Sequence, residues 1–369
     1  MGNKSIWLKN ATALLLCACI ILSIGLTGCT ASETGEKMKV GMITDTGSVD
    51  DKSFNQGTWQ GILKYSQDKQ TIQEKYLQPS GAQATDLINA INDFVDSGYK
   101  IIVTPGYRFE TAVNESAKTH PDTKFILLDG LPHSGDNIFV KHDNVLSVFF
   151  SEQEGGFLAG VAAALSTKTG KLGFIGGSEV LPVQKFLYGF EAGVEYADDN
   201  LGADAEIVSS VYQGTFNDIQ AGQTLAAGMY DKGIDVIFHA AGGVGVGVFN
   251  EAKQRAKSGQ NVWVIGVDSD QYDFGKIEDK PDAKSVTLTS AIKKVDVATY
   301  NYIDAAINNK FPGGEIITLS IKEDGIGLPA ENPNLSDAVK AKIDGVIKDM
   351  KEGKIAVPST EEELDNFLK

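Results

Sequence analysis

The chain has 369 residues, of which 49 are acidic and 33 are lysine or arginine, so its formal net charge is −16 at pH 7. Such an acidic protein, with Arg108 and Arg255 as its two arginines, is poorly suited to bind nucleic acid or polyphosphate. The length allows two domains of ordinary size and a core that is stable without disulfide bonds.

The N-terminal segment has the pattern of an export signal followed by an anchor. Two lysines precede an apolar stretch at 11–26 that is short for a transmembrane helix. The sequence LTGC at 26–29 resembles the bacterial lipobox, whose cysteine is diacylated and becomes the N-terminus. We predict a lipoprotein signal peptide at 1–28, lipidation at Cys29 and a tether at 29–37. The protein would then lie on the extracytoplasmic face of the cell membrane; an ordinary signal peptide is the alternative.

The three cysteines, Cys17, Cys19 and Cys29, all lie in this N-terminal segment. A mature chain that begins at Cys29 keeps only the lipidated thiol. We therefore expect no disulfide bond, no cysteine-bound metal and no thiol nucleophile in the folded domains.

From Met38 onward, short apolar strands alternate with helices. The first half predicts strands at 38–44, 74–79, 100–106, 124–130 and 144–150, and helices at 55–69, 81–99, 108–120 and 152–167. The order then restarts, with strands at 170–177, 205–212, 235–243 and 261–270 and helices at 182–198, 218–233 and 247–259. A strand and a helix within 284–309, a strand at 314–321 and a charged helical tail follow.

Strands that alternate with helices over hundreds of residues indicate parallel sheets with helices on both faces. Because the order occurs twice, we predict an α/β protein with two similar lobes, each built on a doubly wound parallel sheet. In such sheets, ligands bind beyond the carboxyl ends of the strands. The residues at these ends are therefore the candidates for the site.

The predicted strand ends carry mainly hydrogen-bond acceptors. The candidate ligand-binding residues are Asp45, Ser53, Phe54, Asn55, Gly106, Asp129, Gly242, Val246, Asp268 and Lys293. Carboxylates accept hydrogen bonds from sugar hydroxyls, and an aromatic side chain stacks on a flat ligand ring. Because several carboxylates would repel a phosphate, a sugar-bearing aromatic such as a nucleoside fits best.

Structural roles remain open for several of these residues. Asp45, Asp50 and Asp51 could cap a helix, since aspartate accepts hydrogen bonds from the free amides of a helix N-terminus. Phe54 could pack in the core, and Lys293 could be a solvated surface lysine.

Enzyme and cofactor chemistry has little support in the sequence. The segment AAGGVGVGVF at 240–249 has the spacing G-x-G-x-G, which differs from the dinucleotide fingerprint, and it falls late in the chain. Metalloprotease, serine-hydrolase and Walker motifs are absent from the sequence, and DTGSVDD at 45–51 lacks EF-hand spacing. We predict a binding protein with no catalytic residues, no metal and no cofactor.

Five segments together resemble one known family. They are DKSFNQ at 51–56, LLDG at 127–130, SEQEGGFLAGVAAAL at 151–165, AAGGVGVGVF at 240–249 and GVDSDQ at 266–271. The chain resembles the basic membrane protein family of ABC transporter substrate-binding lipoproteins, and especially its purine-nucleoside receptors. This resemblance implies the type 1 periplasmic-binding-protein fold, with two lobes joined by a three-strand hinge. It also implies a nucleoside ligand, with permease and ATPase subunits as partners. We expect the protein to be a monomer.

For the base of the nucleoside, the resemblance implies that Phe54 stacks on the ring and that Asp45 and Asn55 help to hold it. Family members usually supply a second aromatic side chain that completes a sandwich. Phe216 and Phe238 are the candidates for this second ring.

For the sugar, the resemblance implies that Asp268 and Lys293 hold the ribose. Asp129 would bond the base edge or a sugar hydroxyl. The segment from Gly242 to Val246 would form the opposite wall.

Family architecture also implies the division of the chain. Lobe 1 would comprise 38–147 and 283–309, lobe 2 would comprise 148–282 and 310–332, and 333–369 would form a helical tail. The chain would cross between the lobes near 148–153, near 282 and near 310–314.

Three alternative functions share much of this pattern. A sugar or autoinducer receptor would use the same fold, and a sensory lipoprotein would use the same site residues. A nucleotide-dependent enzyme is less favoured, because it would need a phosphate site and a catalytic acid or base.

Overall fold

The computed structural model describes residues 37–45 and 47–369. The predicted signal peptide and Cys29, with all of the predicted tether except Lys37, lie outside the described residues. Residues Met38–Lys369 form one compact unit that contains two six-stranded sheets. In the described part of the chain, no helix is both long enough and apolar enough to cross a lipid bilayer.

The first sheet is entirely parallel. Its strands are β1 (Met38–Ile43), β2 (Ile72–Leu77), β3 (Ile101–Pro105), β4 (Lys124–Leu128), β5 (Val145–Phe150) and β11 (Ile316–Leu319). They follow the order β11-β5-β4-β3-β1-β2. Helices α1 (Phe54–Lys69) and α8 (Val295–Ile307) cover one face, and α2 (Ala84–Asp96) and α3 (Glu110–Thr119) cover the other. Because both faces are covered, β3 is buried along its whole length.

The second sheet repeats this plan. Its strands are β6 (Lys171–Gly176), β7 (Glu206–Tyr212), β8 (Val236–Ala240), β9 (Trp263–Asp268), β10 (Thr287–Lys293) and β12 (Ile326–Gly327). They follow the order β12-β10-β9-β8-β6-β7, and only β12 pairs in the antiparallel direction. Helices α4 (Glu152–Ser166) and α5 (Leu181–Leu201) cover one face, and α6 (Ile219–Asp231) and α7 (Gly243–Lys257) cover the other.

The tail adds two helices to the second lobe. Helices α9 (Asp337–Lys351) and α10 (Glu361–Phe367) place Ile343, Val346 and Leu364 in the same apolar cluster as α4 and α5. The tail therefore packs on the face of the second sheet that α4 and α5 already cover.

The division of the chain between the lobes differs from the sequence-based expectation. Strand β10 was expected in lobe 1, but it pairs with β9 in the second sheet, and β11 was expected in lobe 2, but it pairs with β5 in the first sheet. The physical reason is that buried backbone groups need hydrogen-bond partners. β10 supplies these partners to β9, and β11 supplies them to β5. Within 283–309, only α8 packs on the first sheet.

The chain passes between the lobes at Ser151, at Lys294 and at 320–325. These crossings lie against one another. The Ser151 N–H donates to the carbonyl oxygen of Leu319 at 3.1 Å, and the Lys294 N–H donates to that of Gly325 at 2.9 Å. The three connections thus form one hydrogen-bonded bundle between the two sheets.

Candidate ligand-binding site

A cavity lies where the carboxyl ends of the two sheets face each other. It encloses about 650 Å³ of space without protein atoms, part of which is open to solvent. Its lining residues are Asp45, Asp51, Ser53, Phe54, Asn55, Gly106, Tyr107, Asp129, Val180, Pro182, Val183, Phe186, Phe216, Ala240, Ala241, Gly242, Val267, Asp268 and Lys293.

The loop between β1 and α1 is organised by Asp51. Its buried carboxylate accepts hydrogen bonds from the backbone N–H groups of Ser53, Asn55 and Gln56, at 2.9 to 3.1 Å. Asp51 therefore satisfies amides at the start of α1, which is the capping role that the sequence left open. This cap fixes where Phe54 and Asn55 enter the cavity.

Asp45 and Asn55 form a rigid pair at the end of β1. The Asn55 Nδ2 donates to Asp45 Oδ1 at 2.9 Å and to Asp51 Oδ2 at 3.0 Å, and the Gly47 N–H also donates to Asp45 Oδ1. Burial raises the pKa of Asp45 despite these hydrogen bonds. The arrangement presents an acidic edge to the cavity.

Lys293 is the cation of the site and is almost fully buried, with 2% of its side chain exposed. Its ammonium donates to Asp129 and to Glu152, the latter at 2.8 Å. It also lies 4.9 Å from the ring centroids of both Phe54 and Phe150. Phe54 is thus held beside a charged group by a cation–π contact. The possibility of a solvated surface lysine is thereby excluded.

The charges of this cluster do not balance. Burial raises the pKa of Asp129 to about 7, against the opposing effect of Lys293, and burial likewise raises the pKa of Asp268 to about 6. Burial by itself would lower the pKa of Lys293, but Asp129, Glu152 and Asp268 outweigh it and raise that pKa above its usual value. In the described structure, Asp129 Oδ1 is buried without a hydrogen-bond partner. The cavity therefore has acceptor capacity for a ligand that brings hydrogen-bond donors.

Two of the aspartates have strained backbone. Asp129 follows β4 with φ +54°, and Asp268 ends β9 with φ +65°. Such left-handed conformations are uncommon for residues other than glycine and tend to occur at functional sites. Asp268 also accepts a hydrogen bond from the Ser53 hydroxyl, which joins the second lobe to the first.

The structure brings most of the candidate residues together. Nine of the ten line the cavity, whereas Val246 lies in the first turn of α7 and is not among the lining residues. Of the two candidates for a second ring, Phe216 lines the cavity and Phe238 is fully buried in the core. His239, in β8, is also fully buried and is absent from the lining.

The sequence analysis missed several residues that line or support the cavity. Tyr107, in a short 3-10 helix after β3, lines the cavity, as do Val183 and Phe186 near the start of α5. In the sequence, Val183 and Phe186 have the spacing of ordinary core residues of a helix. The one signal for their role is that α5 begins just after β6, at the carboxyl end of the sheet where ligands bind. Glu152 was missed because it opens a helix, where an acidic residue usually serves the helix dipole.

Comparison with known proteins supports this description. Residues 38–361 match the family described as ABC transporter substrate-binding protein, PnrA-like (Bmp). The chain is 38% identical over 367 residues to the CD4+ T-cell-stimulating antigen of Listeria monocytogenes, covering 95% of this chain and 99% of that protein. It is 36% identical over 340 residues to the ABC transporter nucleoside-binding protein BmpA of Lactococcus lactis, covering 89% and 92%.

A solved structure has the same architecture. The chain is similar to a solute-binding protein of an ABC transporter system from Aeropyrum pernix, with a TM-score of 0.74 and 26% identity. The match covers 90% of this chain and 98% of that protein. The predicted fold, with two parallel-sheet α/β lobes of the type 1 binding-protein class, is confirmed.

Proposed function

Because the chain belongs to the PnrA-like (Bmp) family of ABC transporter substrate-binding proteins, we propose that it binds a nucleoside, with a preference for purines, and delivers it to an importer. The membership confirms the family resemblance seen in the sequence and the prediction of a binding protein rather than an enzyme. The permease and ATPase subunits of the importer would be its partners.

The observation that carries the proposal is the composition of the cavity. Phe54 from the first lobe and Phe216 from the second supply aromatic faces, while Asp129 and Asp268 supply acceptors for hydroxyl groups. Among the described residues that line the cavity, Lys293 is the single basic side chain, and carboxylates already engage it. A neutral ligand with a flat ring and a hydroxylated sugar matches this arrangement, whereas a phosphate does not.

Two further points support the proposal. The Lactococcus lactis relative is named as a nucleoside-binding protein. The bicyclic ring of a purine offers more area for stacking between two aromatic side chains than a pyrimidine does.

The location of the protein is part of the proposal. We infer that Cys29 is diacylated and anchors the protein to the extracytoplasmic face of the cell membrane, since LTGC at 26–29 resembles a lipobox. The wild type should incorporate a radiolabelled fatty acid, and the Cys29→Ala variant should not. Equal incorporation by the two proteins would rule out the proposed anchor.

The test of the ligand is a calorimetric titration. The chain from residue 30 retains the compact unit Met38–Lys369, and it should first be unfolded and refolded to remove any carried ligand. Guanosine, inosine, adenosine, cytidine, uridine, ribose and galactose would then be titrated separately. Tight binding of nucleosides, strongest for purines, is the expected result. Binding of free sugars alone would favour a sugar receptor.

A further inference from the structure

The two lobes are joined beside the cavity by a contact that none of the proposed ligand roles uses. The backbone carbonyl oxygen of Lys52, in the loop before α1, accepts two hydrogen bonds from the second lobe. The Gln271 side chain donates through Nε2 at 2.7 Å, and the Ser269 hydroxyl donates at 3.2 Å. We call Lys52, Ser269 and Gln271 the Lys52 latch.

Buried neighbours hold the Gln271 side chain in one orientation. The residue is 3% exposed, and its Oε1 accepts hydrogen bonds from the backbone N–H of Val267 and from His239 Nε2, each at 3.1 Å. Burial lowers the pKa of His239 to about 4, so the ring is neutral. Its proton lies on Nε2, which donates the hydrogen bond to Gln271 Oε1. With Oε1 engaged on that side, the amide nitrogen faces Lys52.

The latch acts on the loop that carries the stacking residue. Lys52 has φ +61°, and it lies between Asp51, which caps α1, and Ser53, which donates to Asp268 of the second lobe. Phe54 follows directly. If this loop moved away from the second lobe, the hydrogen bonds of the latch would break and Phe54 would be displaced at the same time.

We propose that Gln271 is a positioning residue that fastens the Phe54 loop to the second lobe and thereby sets how long a ligand stays bound. Every atom of the latch belongs to the protein, so the latch stabilises the closed arrangement independently of ligand contacts. A ligand leaves after the lobes separate, so a weaker latch should accelerate dissociation more than it slows association. The identity of the ligand used in the test rests on the proposed function.

Stopped-flow kinetics with guanosine would measure this effect. Gln271→Met keeps the approximate volume but removes both the donor to Lys52 and the acceptor of the Val267 and His239 hydrogen bonds, so its melting temperature is measured alongside the kinetics. We expect the dissociation rate to rise about tenfold, with the association rate within about twofold. Ser269→Ala removes the longer hydrogen bond and should have a smaller effect in the same direction. Gln254→Met, at an exposed position of α7, is the matched control and should behave like the wild type.

A second measurement needs no ligand. The chain from residue 30 has no native cysteine, so spin labels at Lys75→Cys on β2 and Glu206→Cys on β7 would report the distance between the lobes. Both positions are exposed. In the free protein, Gln271→Met should shift the distance distribution towards longer values.

Two results would overturn the proposal. One is a folded Gln271→Met variant whose dissociation rate and label distances both match the wild type. The other is a variant with a lower melting temperature, slower association and unchanged label distances, which would make Gln271 a residue of the fold alone. If the wild type bound no nucleoside, the proposed function would fail, while the label distances would still decide whether the latch exists.

Discussion

At the scale of single residues, the carboxylates around Lys293 outnumber the ammonium groups near them. Lys293 contacts Asp129 and Glu152 directly, and Asp268 is close enough to influence its pKa. Lys185 brings a second ammonium group to within 3.6 Å of Glu152, but two ammonium groups still leave one of the three carboxylates without a counter-charge, and that carboxylate favours a proton or a hydrogen-bond donor. The hydroxyl groups of a neutral ligand supply such donors without adding charge, which is why we propose a nucleoside and not a nucleotide as the ligand.

Removal of the Phe54 ring should weaken nucleoside binding strongly. Stacking of a base on an aromatic side chain contributes about 1–3 kcal/mol, so we expect Phe54→Ala to raise the dissociation constant about 5- to 150-fold in calorimetry. Phe139→Ala is the matched control, because Phe139 is exposed and does not line the cavity. An effect of less than about twofold in Phe54→Ala would show that the ring does not stack on the ligand.

Nucleoside affinity should rise between about pH 5 and pH 7.5. Burial raises the pKa of Asp268 to about 6 and that of Asp129 to about 7, so both carboxyl groups lose their protons over this range, Asp268 at the lower pH. The ionised form accepts ribose hydroxyls with both oxygens, whereas the protonated form offers less acceptor capacity. Asp268→Asn should bind about tenfold more weakly at pH 7.5 and show a flatter pH profile.

The control for this experiment is Asp50→Asn, because Asp50 is exposed and lies outside the cavity lining. Its affinity and pH profile should match those of the wild type. A larger loss in Asp50→Asn than in Asp268→Asn would show that the wrong carboxylate was chosen.

At the scale of elements, the sequence predicts the strands and helices well, because their apolar periodicity is a local property. It also predicts that Asp45, Asp129 and Asp268 meet, since the carboxyl ends of parallel strands share one edge. The lobe to which β10 belongs is not a local property. Both sheets accept an apolar strand of its length, and only the pairing with β9 decides between them.

The helix pair α4 and α5 gives an element-scale prediction. The two helices approach so closely that a Cβ atom at Gly193 would collide with the backbone carbonyl group of Phe157. We expect Gly193→Ala to lower the free energy of unfolding by about 1–3 kcal/mol, because a backbone contact cannot yield as a side chain does. Denaturant titration with detection by circular dichroism would measure it.

Gly228→Ala is the matched control for that substitution. Gly228 lies in α6, and a Cβ atom there would meet no other atom within 4 Å. Alanine should therefore stabilise the protein by about 0.4–1 kcal/mol, since it reduces the freedom of the unfolded chain. Equal effects of the two substitutions would contradict the close approach of α4 and α5.

At the scale of the whole molecule, the contacts between lobes fall into two groups. The hinge bundle joins them at the three crossings, for example through the Lys294 N–H and the Gly325 carbonyl oxygen. The second group surrounds the cavity and includes Ser53 with Asp268 and Lys293 with Asp129. Only the second group has to break when the lobes separate, so the cavity can open while the hinge and both sheets stay intact.

This arrangement predicts a change of shape on binding. A ligand that contacts both lobes favours the closed form by its differential affinity for that form. We expect small-angle X-ray scattering of the chain from residue 30 to show a radius of gyration that falls towards about 20 Å when guanosine saturates the protein. Ribose at the same concentration is the control and should leave the scattering curve unchanged. If calorimetry detected guanosine binding while the radius of gyration stayed constant across the titration, closure of the lobes around the ligand would be contradicted.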